Sequence, residues 1–123
     1  MSNVRNLLLA TAGSAGGAGL DVDEVFSTYL YTGNASEQSI NNGLDLSGEG
    51  GSVWIKNRGS AGSNHHWFNT ASGRASNIMP NQVANQTSTS SQDLKSFNNN
   101  GFTLNATAYN TNINVNNGNY VSW

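Results

Sequence analysis

Cysteine is absent from the 123-residue sequence, and proline occurs only once. Without cysteine the chain has no disulfide framework, no thiolate metal site and no cysteine nucleophile. Charged residues make up only 10% and the formal net charge is −2, so the sequence lacks the basic stripe typical of nucleic-acid binding. No apolar run approaches the roughly 18 residues of a transmembrane helix. We therefore expect neither a nucleic-acid partner nor a membrane span.

The residues that are abundant are small or polar. Asparagine, serine and threonine occur throughout, together with 14 glycines, while hydrophobic residues make up 36%. Such polar side chains hydrogen-bond to nearby backbone, and they suit turns and exposed strand faces better than helix interiors. Disorder is the competing interpretation, but disordered chains usually carry more charge and fewer aromatic residues. The composition therefore favours one all-β domain with many loops.

The segment around Trp54 has the clearest strand pattern. Val53 and Ile55 alternate with Trp54 and Lys56, glycines precede the run, and an Asn-Arg-Gly turn follows it. Alternation of β-branched and aromatic residues between turn residues predicts a β-strand. The two pairs therefore point to opposite faces, one of which lies in a core.

Other strand candidates are separated by turns rich in glycine and asparagine. They cover residues 25–31, 38–40, 64–70, 93–97, 101–104 and 120–123. Phe26, Thr28 and Leu30 share one face of the first candidate in strict alternation. We predict loops over residues 71–77 and 81–92. This spacing predicts an antiparallel β-sandwich or jelly roll, whose last strand is cut short where the sequence stops.

Residues 1–20 form a separate segment, which we divide from a domain over residues 21–123. The large apolar residues of this segment are Val4, Leu7, Leu8 and Leu9. A secretory signal and a disordered tail are two interpretations, although the apolar core is shorter than the roughly 7–15 residues of a signal peptide. We favour an extended anchoring peptide followed by a flexible Gly/Ala linker, because exposed leucines on a tail indicate burial on another protein.

The order of the motifs resembles a known family. They are FSTYLYTGN (26–34), INNGLDL (40–46), GGSVWIKNR (50–58), HHWFNT (65–70), LKSFNNNGFTL (94–104) and YVSW (120–123). Together they resemble the lectin-like, concanavalin A-like jelly-roll domain of bacteriophage tail and fibre proteins, especially of marine and cyanobacterial phages. The resemblance covers the chain from about Val25 onward. It implies a virion structural protein in the host-contacting tail apparatus, located in the phage virion.

The chain departs from this family at three places. Asn69 stands where the family usually has aspartate, and Ala-Ser-Gly-Arg over residues 71–74 replaces an Arg-Gly pair. If the aspartate and arginine pair in relatives, Arg74 must find other partners here. The family also usually continues past the YVSW strand, so we expect this chain to be the first part of a longer protein. The resemblance supplies no catalytic residues.

Catalytic and metal sites find little support in the residue pattern. His65 and His66 are adjacent on a predicted strand, so they point to opposite faces and do not jointly hold a zinc ion. Residues 21–24 lack the ligand spacing of a calcium loop, and we interpret them as a solvated lead-in. A glycan-cleaving enzyme needs two carboxylates across a groove, and the candidates are unpaired in sequence: Asp45, Glu49 and Asp93. We assign no catalytic residue, cofactor or metal.

A glycan contact is the stronger binding hypothesis. Sugar sites combine an aromatic platform with amide side chains, and Trp54, Trp67 and Tyr109 among many asparagines supply both. The competing interpretation places these aromatic residues in a core or an interface. The sequence therefore offers three candidate glycan-contacting residues.

Together, the resemblance and the residues predict a tail fibre or tail-associated protein. Its N-terminal segment docks on other virion proteins of the tail or its adaptor, and its β domain contributes to adhesion without catalysis. A homo-oligomer is expected, with a trimer favoured, because multivalency raises avidity. A capsid decoration or cement protein is the alternative, and a glycan-binding or glycan-degrading module is a minor one.

Overall fold

The computed structural model describes residues 19, 21–83, 93–106 and 112–123, and the backbone of residues 87–88. Within these ranges the chain forms one helical turn and nine short strands. In chain order they are α1 (Val22–Val25), β1 (Tyr29–Thr32), β2 (Gln38–Asn41), β3 (Ser52–Asn57), β4 (His65–Asn69), β5 (Ser76–Asn77), β6 (Thr87–Ser88), β7 (Leu94–Asn98), β8 (Gly101–Leu104) and β9 (Asn119–Ser122). The docking residues predicted at Val4, Leu7, Leu8 and Leu9 lie outside the described residues, as does Tyr109.

Two antiparallel sheets form the β-sandwich that the sequence predicts. The first has the order β1-β9-β3-β4, and the second has the order β2-β8-β7. A separate two-stranded ladder joins β5 to β6. Strand β9 lies between β1 and β3, although both precede it by many residues, so the first sheet depends on long-range pairing.

The core lies between the two sheets. Val53 and Ile55 of β3 are 1% and 0% exposed and face this core, while Trp54 points outward, which confirms the alternation predicted for this strand. The second sheet contributes Phe102 and Leu104 of β8, both without exposed surface. Among the described residues, apolar side chains from both sheets form one cluster, as in a β-sandwich core.

Two tyrosines connect this core to the segment that precedes β9. Tyr31 and Tyr120 are direct partners on β1 and β9, and their rings stack with centroids 5.0 Å apart. The Tyr31 hydroxyl donates to the carbonyl of Ile113 at 2.9 Å, and the Tyr120 hydroxyl donates to that of Asn112 at 2.7 Å. These two hydrogen bonds, of which the first is buried, fasten residues 112–113 to the sandwich.

The prediction of a strand over residues 25–31 is wrong in its first half. Residues 22–25 form a helical turn, because the Asp21 carboxylate accepts from the backbone N–H of Asp23 and acts as its N-cap. Strand β1 begins only at Tyr29. The alternation predicts that Leu30 shares a strand face with Phe26, but Phe26 precedes the strand. Leu30 is 57% exposed, and Tyr31 is the residue of β1 that enters the core.

The two predicted loops each contain a short ladder segment. Residues 76–77 pair with residues 87–88, and Ile78 bridges to Trp67 by two backbone hydrogen bonds. Two-residue strands are too short for a periodic sequence signal.

Arg74 has an asparagine at position 69 where the family usually has aspartate, and it donates to the carbonyl of Leu94 at 3.4 Å. No helix among the described residues is long and apolar enough to cross a membrane.

Candidate functional site

The outer face of the first sheet carries a row of three tryptophans. Trp54 of β3 lies directly opposite Trp67 of β4. On its other side, Trp54 exchanges two backbone hydrogen bonds with Trp123, of 2.8 and 2.9 Å. Opposite residues of antiparallel strands share one face, so the three indoles lie side by side across neighbouring strands. We call Trp123, Trp54 and Trp67 the tryptophan row.

The central tryptophan is held by two side chains of β4. The rings of Trp54 and Trp67 stack with centroids 6.1 Å apart and planes 23° apart. The Trp54 indole N–H donates to Nδ1 of His65 at 2.9 Å, and the His65 ring meets the indole edge-on. His65 is a diagonal neighbour of Trp54 on β4, within reach of long side chains. The indole is therefore oriented before any ligand arrives.

A cleft of about 380 Å³ lies over the tryptophan row. Its remaining lining comes from residues 24–27, 44–46 and 49–52. Trp54 and Trp123 are 37% and 39% exposed, and Phe26 beside them is 52% exposed. Because isolated folded domains rarely leave several large aromatic side chains exposed together, this surface is the strongest candidate binding site.

Local hydrogen bonds shape the loop that borders the cleft. One carboxylate oxygen of Asp45 accepts from the backbone N–H of Ser47 at 3.1 Å and from that of Gly48 at 2.8 Å. At the other end, the Thr70 hydroxyl accepts from the N–H of Gly51 at 2.9 Å. Leu46 between these points is buried in the core. The loop is thus tied to the sandwich at both ends.

The charges of the cleft are all negative. Glu24, Asp45 and Glu49 line it, whereas no lysine, arginine or histidine does so among the described residues. The hydrogen bond from Gly48 lowers the pKa of Asp45, with further help from Ser47. No group of three or more histidine or acidic side chains is placed to hold a metal ion in the described parts of the chain.

The structure separates the two adjacent histidines as the sequence predicts. His65 faces the tryptophan row, while His66 points to the core side and is 5% exposed. Burial lowers the pKa of His66 to about 4, and the contact of its Nδ1 with the Asn77 side chain offsets this only in part. His66 therefore belongs to the packing of the sandwich and does not reach the cleft.

The sequence identified part of this site. Trp54 and Trp67 come together as candidate glycan contacts, while Tyr109 lies outside the described residues. Trp123 and His65 were not predicted to take part, because their roles depend on the pairing of β9 with β3 and on a diagonal contact across two strands. Of the three carboxylates considered for catalysis, Asp45 and Glu49 line the cleft, and Asp93 is fully buried.

Comparison with known proteins adds a family to this geometry. No match is found among curated proteins or among solved structures. A family model does match residues 21–123, a range that includes every residue lining the cleft. The chain belongs to this family, which is described as a domain of unknown function (DUF7483).

Proposed function

We propose that this protein is an adhesion component of a bacteriophage virion, in a tail fibre or tail-associated position. In this proposal the domain over residues 21–123 contacts glycans on the host surface through the cleft. The segment with Val4, Leu7, Leu8 and Leu9 docks on other virion proteins. The virion placement is supported by the resemblance of the ordered motifs to phage tail and fibre domains. The glycan contact is supported by the tryptophan row.

The tryptophan row is the observation that carries the binding hypothesis. Pyranose rings present apolar C–H faces and polar hydroxyl edges, and the exposed parts of Trp54 and Trp123 offer aromatic surface that matches the apolar side. A volume of about 380 Å³ falls within the range of roughly 300–1,000 Å³ found for ligand sites. Ser27, Ser52 and the Asp45 carboxylate border the same space and provide partners for hydroxyl groups.

Preorganisation makes this surface suitable for a ligand that contributes little energy per contact. Trp54 is already stacked on Trp67 and bonded to His65, so binding needs little further ordering of its side chain. Adhesion by shallow clefts of this kind gains strength from several copies that bind at once. We therefore propose a homo-oligomer, with a trimer favoured, in which three clefts act together.

We assign adhesion and no catalytic step to the cleft. A general acid in glycoside hydrolysis needs a raised pKa, and the hydrogen bonds to Asp45 act in the opposite direction. Asp45 is also used by the loop that it caps, through its bonds to Ser47 and Gly48. This argues for a role of Asp45 in shaping the cleft.

The glycan contact is tested by titrating oligosaccharides that bind on a glycan array while following tryptophan fluorescence. Trp54→Ala should weaken binding about tenfold or more, because the central platform is lost. Tyr29→Ala is the matched control, since Tyr29 is 39% exposed and lies outside the cleft. Absence of binding to every glycan on the array would contradict the proposed contact.

The virion placement needs a separate measurement. Cryo-electron microscopy of intact particles should show the domain at the tail, with residues 4–9 inserted into a neighbouring tail protein. Density spread over the capsid lattice would instead make the chain a decoration protein. Because the two experiments are independent, the location of the protein and the ligand of its cleft can each be rejected alone.

A further inference from the structure

We infer that the cleft selects glycans without negative charge, either neutral chains or chains bearing amino groups, and disfavours uronate-, sulfate-, phosphate- and sialate-bearing ones. The inference rests on the proposed glycan contact and specifies its ligand class. It is carried by the side chains that border the tryptophan row.

Negative charge is concentrated at this cleft. The chain contains seven acidic residues in total, and Glu24, Asp45 and Glu49 line this one space. All three residues are exposed, so their carboxylates face the solvent that a ligand would displace or share. The Debye length of about 8–10 Å in physiological salt exceeds the size of one sugar unit. An acidic sugar over the tryptophan row would therefore lie within range of several like charges.

The described residues offer no positive charge that could offset this repulsion inside the cleft. Lys56 lies two residues after Trp54 on β3, but it does not line the cleft, and its amine is held toward the loop after β3 by the carbonyls of Ser60 and Ser63. Lys95 belongs to the other sheet and pairs with Glu37 at 2.5 Å. A bridging cation is also unsupported, because the described acidic side chains do not form a metal-binding group.

The aromatic and acidic parts of the cleft favour the same ligand class. The indole faces attract the apolar faces of sugars and also attract cations through their π-systems. The carboxylates accept hydrogen bonds from hydroxyl, amide or ammonium groups. In water at low salt, two like charges about 6 Å apart weaken binding up to about threefold, so two or three carboxylates should disfavour an acidic unit by up to about tenfold at low ionic strength.

The test uses matched oligosaccharides of one length, chosen after the glycan array. Calorimetry compares an N-acetylated chito-oligosaccharide, its deacetylated amine form and a cello-oligosaccharide oxidised to the uronate, with unoxidised cello-oligosaccharide as reference. If the array favours another linkage, the same neutral and C6-oxidised pair is prepared from that chain. At about 0.05 M salt we expect the oxidised chain to bind about five- to tenfold more weakly than its neutral reference. We expect this ratio of affinities to shrink as the salt concentration rises to about 0.5 M.

Charge-removing variants identify the carboxylates responsible. Glu49→Gln, alone and with Asp45→Asn, should reduce severalfold the ratio of affinities for the neutral and the oxidised chain. The Asn side chain keeps a carbonyl oxygen to accept from Ser47 and Gly48, so the loop retains its cap. Glu37→Gln removes a carboxylate outside the cleft and should leave the difference unchanged.

The possible failures are distinguishable. Equal or tighter binding of the oxidised chain overturns this inference and leaves glycan adhesion intact. A preference for neutral chains that persists unchanged after Glu24→Gln is added to the double variant also overturns it, because the three carboxylates of the cleft would then not be its cause. Failure of every glycan on the array to bind rejects the proposed glycan contact, and this inference with it.

Discussion

The indole N–H of Trp54 donates a hydrogen bond to Nδ1 of His65, at 2.9 Å across strands β3 and β4. Since Nδ1 accepts, the proton of the neutral imidazole lies on Nε2. The same histidine meets the indole edge-on, with ring centroids 5.8 Å apart. His65 therefore positions Trp54, the central residue of the tryptophan row, through a hydrogen bond and an edge-on ring contact.

Removing the acceptor at position 65 should loosen Trp54 without unfolding the domain. His65→Leu leaves the indole N–H without its partner, and we expect oligosaccharide affinity to fall about three- to tenfold. His65→Gln keeps an oxygen that can accept and should recover much of the loss. Calorimetry measures affinity, and urea unfolding checks that stability changes by about 1 kcal/mol or less. Equal losses in both variants would contradict a positioning role for the hydrogen bond.

The buried imidazole of His66 should make stability depend on pH between about 4 and 6.5. Its pKa is lowered from 6.5 to about 4 in the fold, so the unfolded chain binds the extra proton in this window. The contribution of neutral His66 to the free energy of unfolding is fully present above pH 6.5. It is lost as the pH falls toward 4, and the total loss is about 3 kcal/mol. Urea unfolding at several pH values measures the slope.

A variant at the same position isolates the contribution of His66. His66→Gln removes the titrating group and should flatten the slope between pH 4.5 and 6.5, even if it lowers stability at neutral pH. His65→Gln is the matched control, because it removes the neighbouring imidazole from the outer face. A slope that survives His66→Gln would show that another group titrates in this window.

The hydroxyl of Tyr31 should contribute to stability although its ring lies in the core. Tyr31→Phe keeps the stacking on Tyr120 but removes the donor to the carbonyl of Ile113. Leaving a buried acceptor without this partner costs about 1–2 kcal/mol. Tyr29→Phe, at an exposed position of the same strand, should change the free energy of unfolding by less than about 0.5 kcal/mol. Equal effects of the two substitutions would contradict this account.

One asparagine of the polar stretch before β9 is structural. Asn114 is 2% exposed, its amide nitrogen donates to the carbonyls of Ser36 and Asn105, and its oxygen accepts from the N–H of Asn34. Asn114→Asp places a carboxylate against two carbonyl oxygens and should cost about 3 kcal/mol or more. Asn116→Asp, at an exposed position, is the control. Thermal unfolding of both variants distinguishes a buried junction from an ordinary polar loop.

Local patterns predicted the elements that are half-buried and regular. The alternation around Trp54 fixed the inward and outward faces of β3, and the turn before Gly101 placed β7 and β8 on either side of it. Gly101 itself has φ +133, and a Cβ there would overlap the carbonyl oxygen of Ile40. The sandwich follows from these patterns because one face of each strand must be covered.

Other features depend on contacts that a local pattern does not contain. The helical turn α1 competes with an extended segment whose residues alternate equally well, and the Asp21 cap favours the helical turn. Trp123 enters the cleft only because β9 pairs with β3 in a particular register. Likewise, Asn114 is indistinguishable by type from its exposed neighbours. It is buried where its amide bonds to the carbonyls of Ser36 and Asn105, which lie 78 and 9 residues away in sequence.

The place of β9 between β1 and β3 also determines when the fold can close during synthesis. Both earlier strands leave the ribosome with an edge that has no partner until residues 119–122 follow them. Non-local pairing is slow, and open strand edges associate with other chains in the meantime. In a host cell that makes many copies at once, chains can therefore aggregate before β9 is made. Slower translation initiation or a lower temperature should reduce the aggregated fraction.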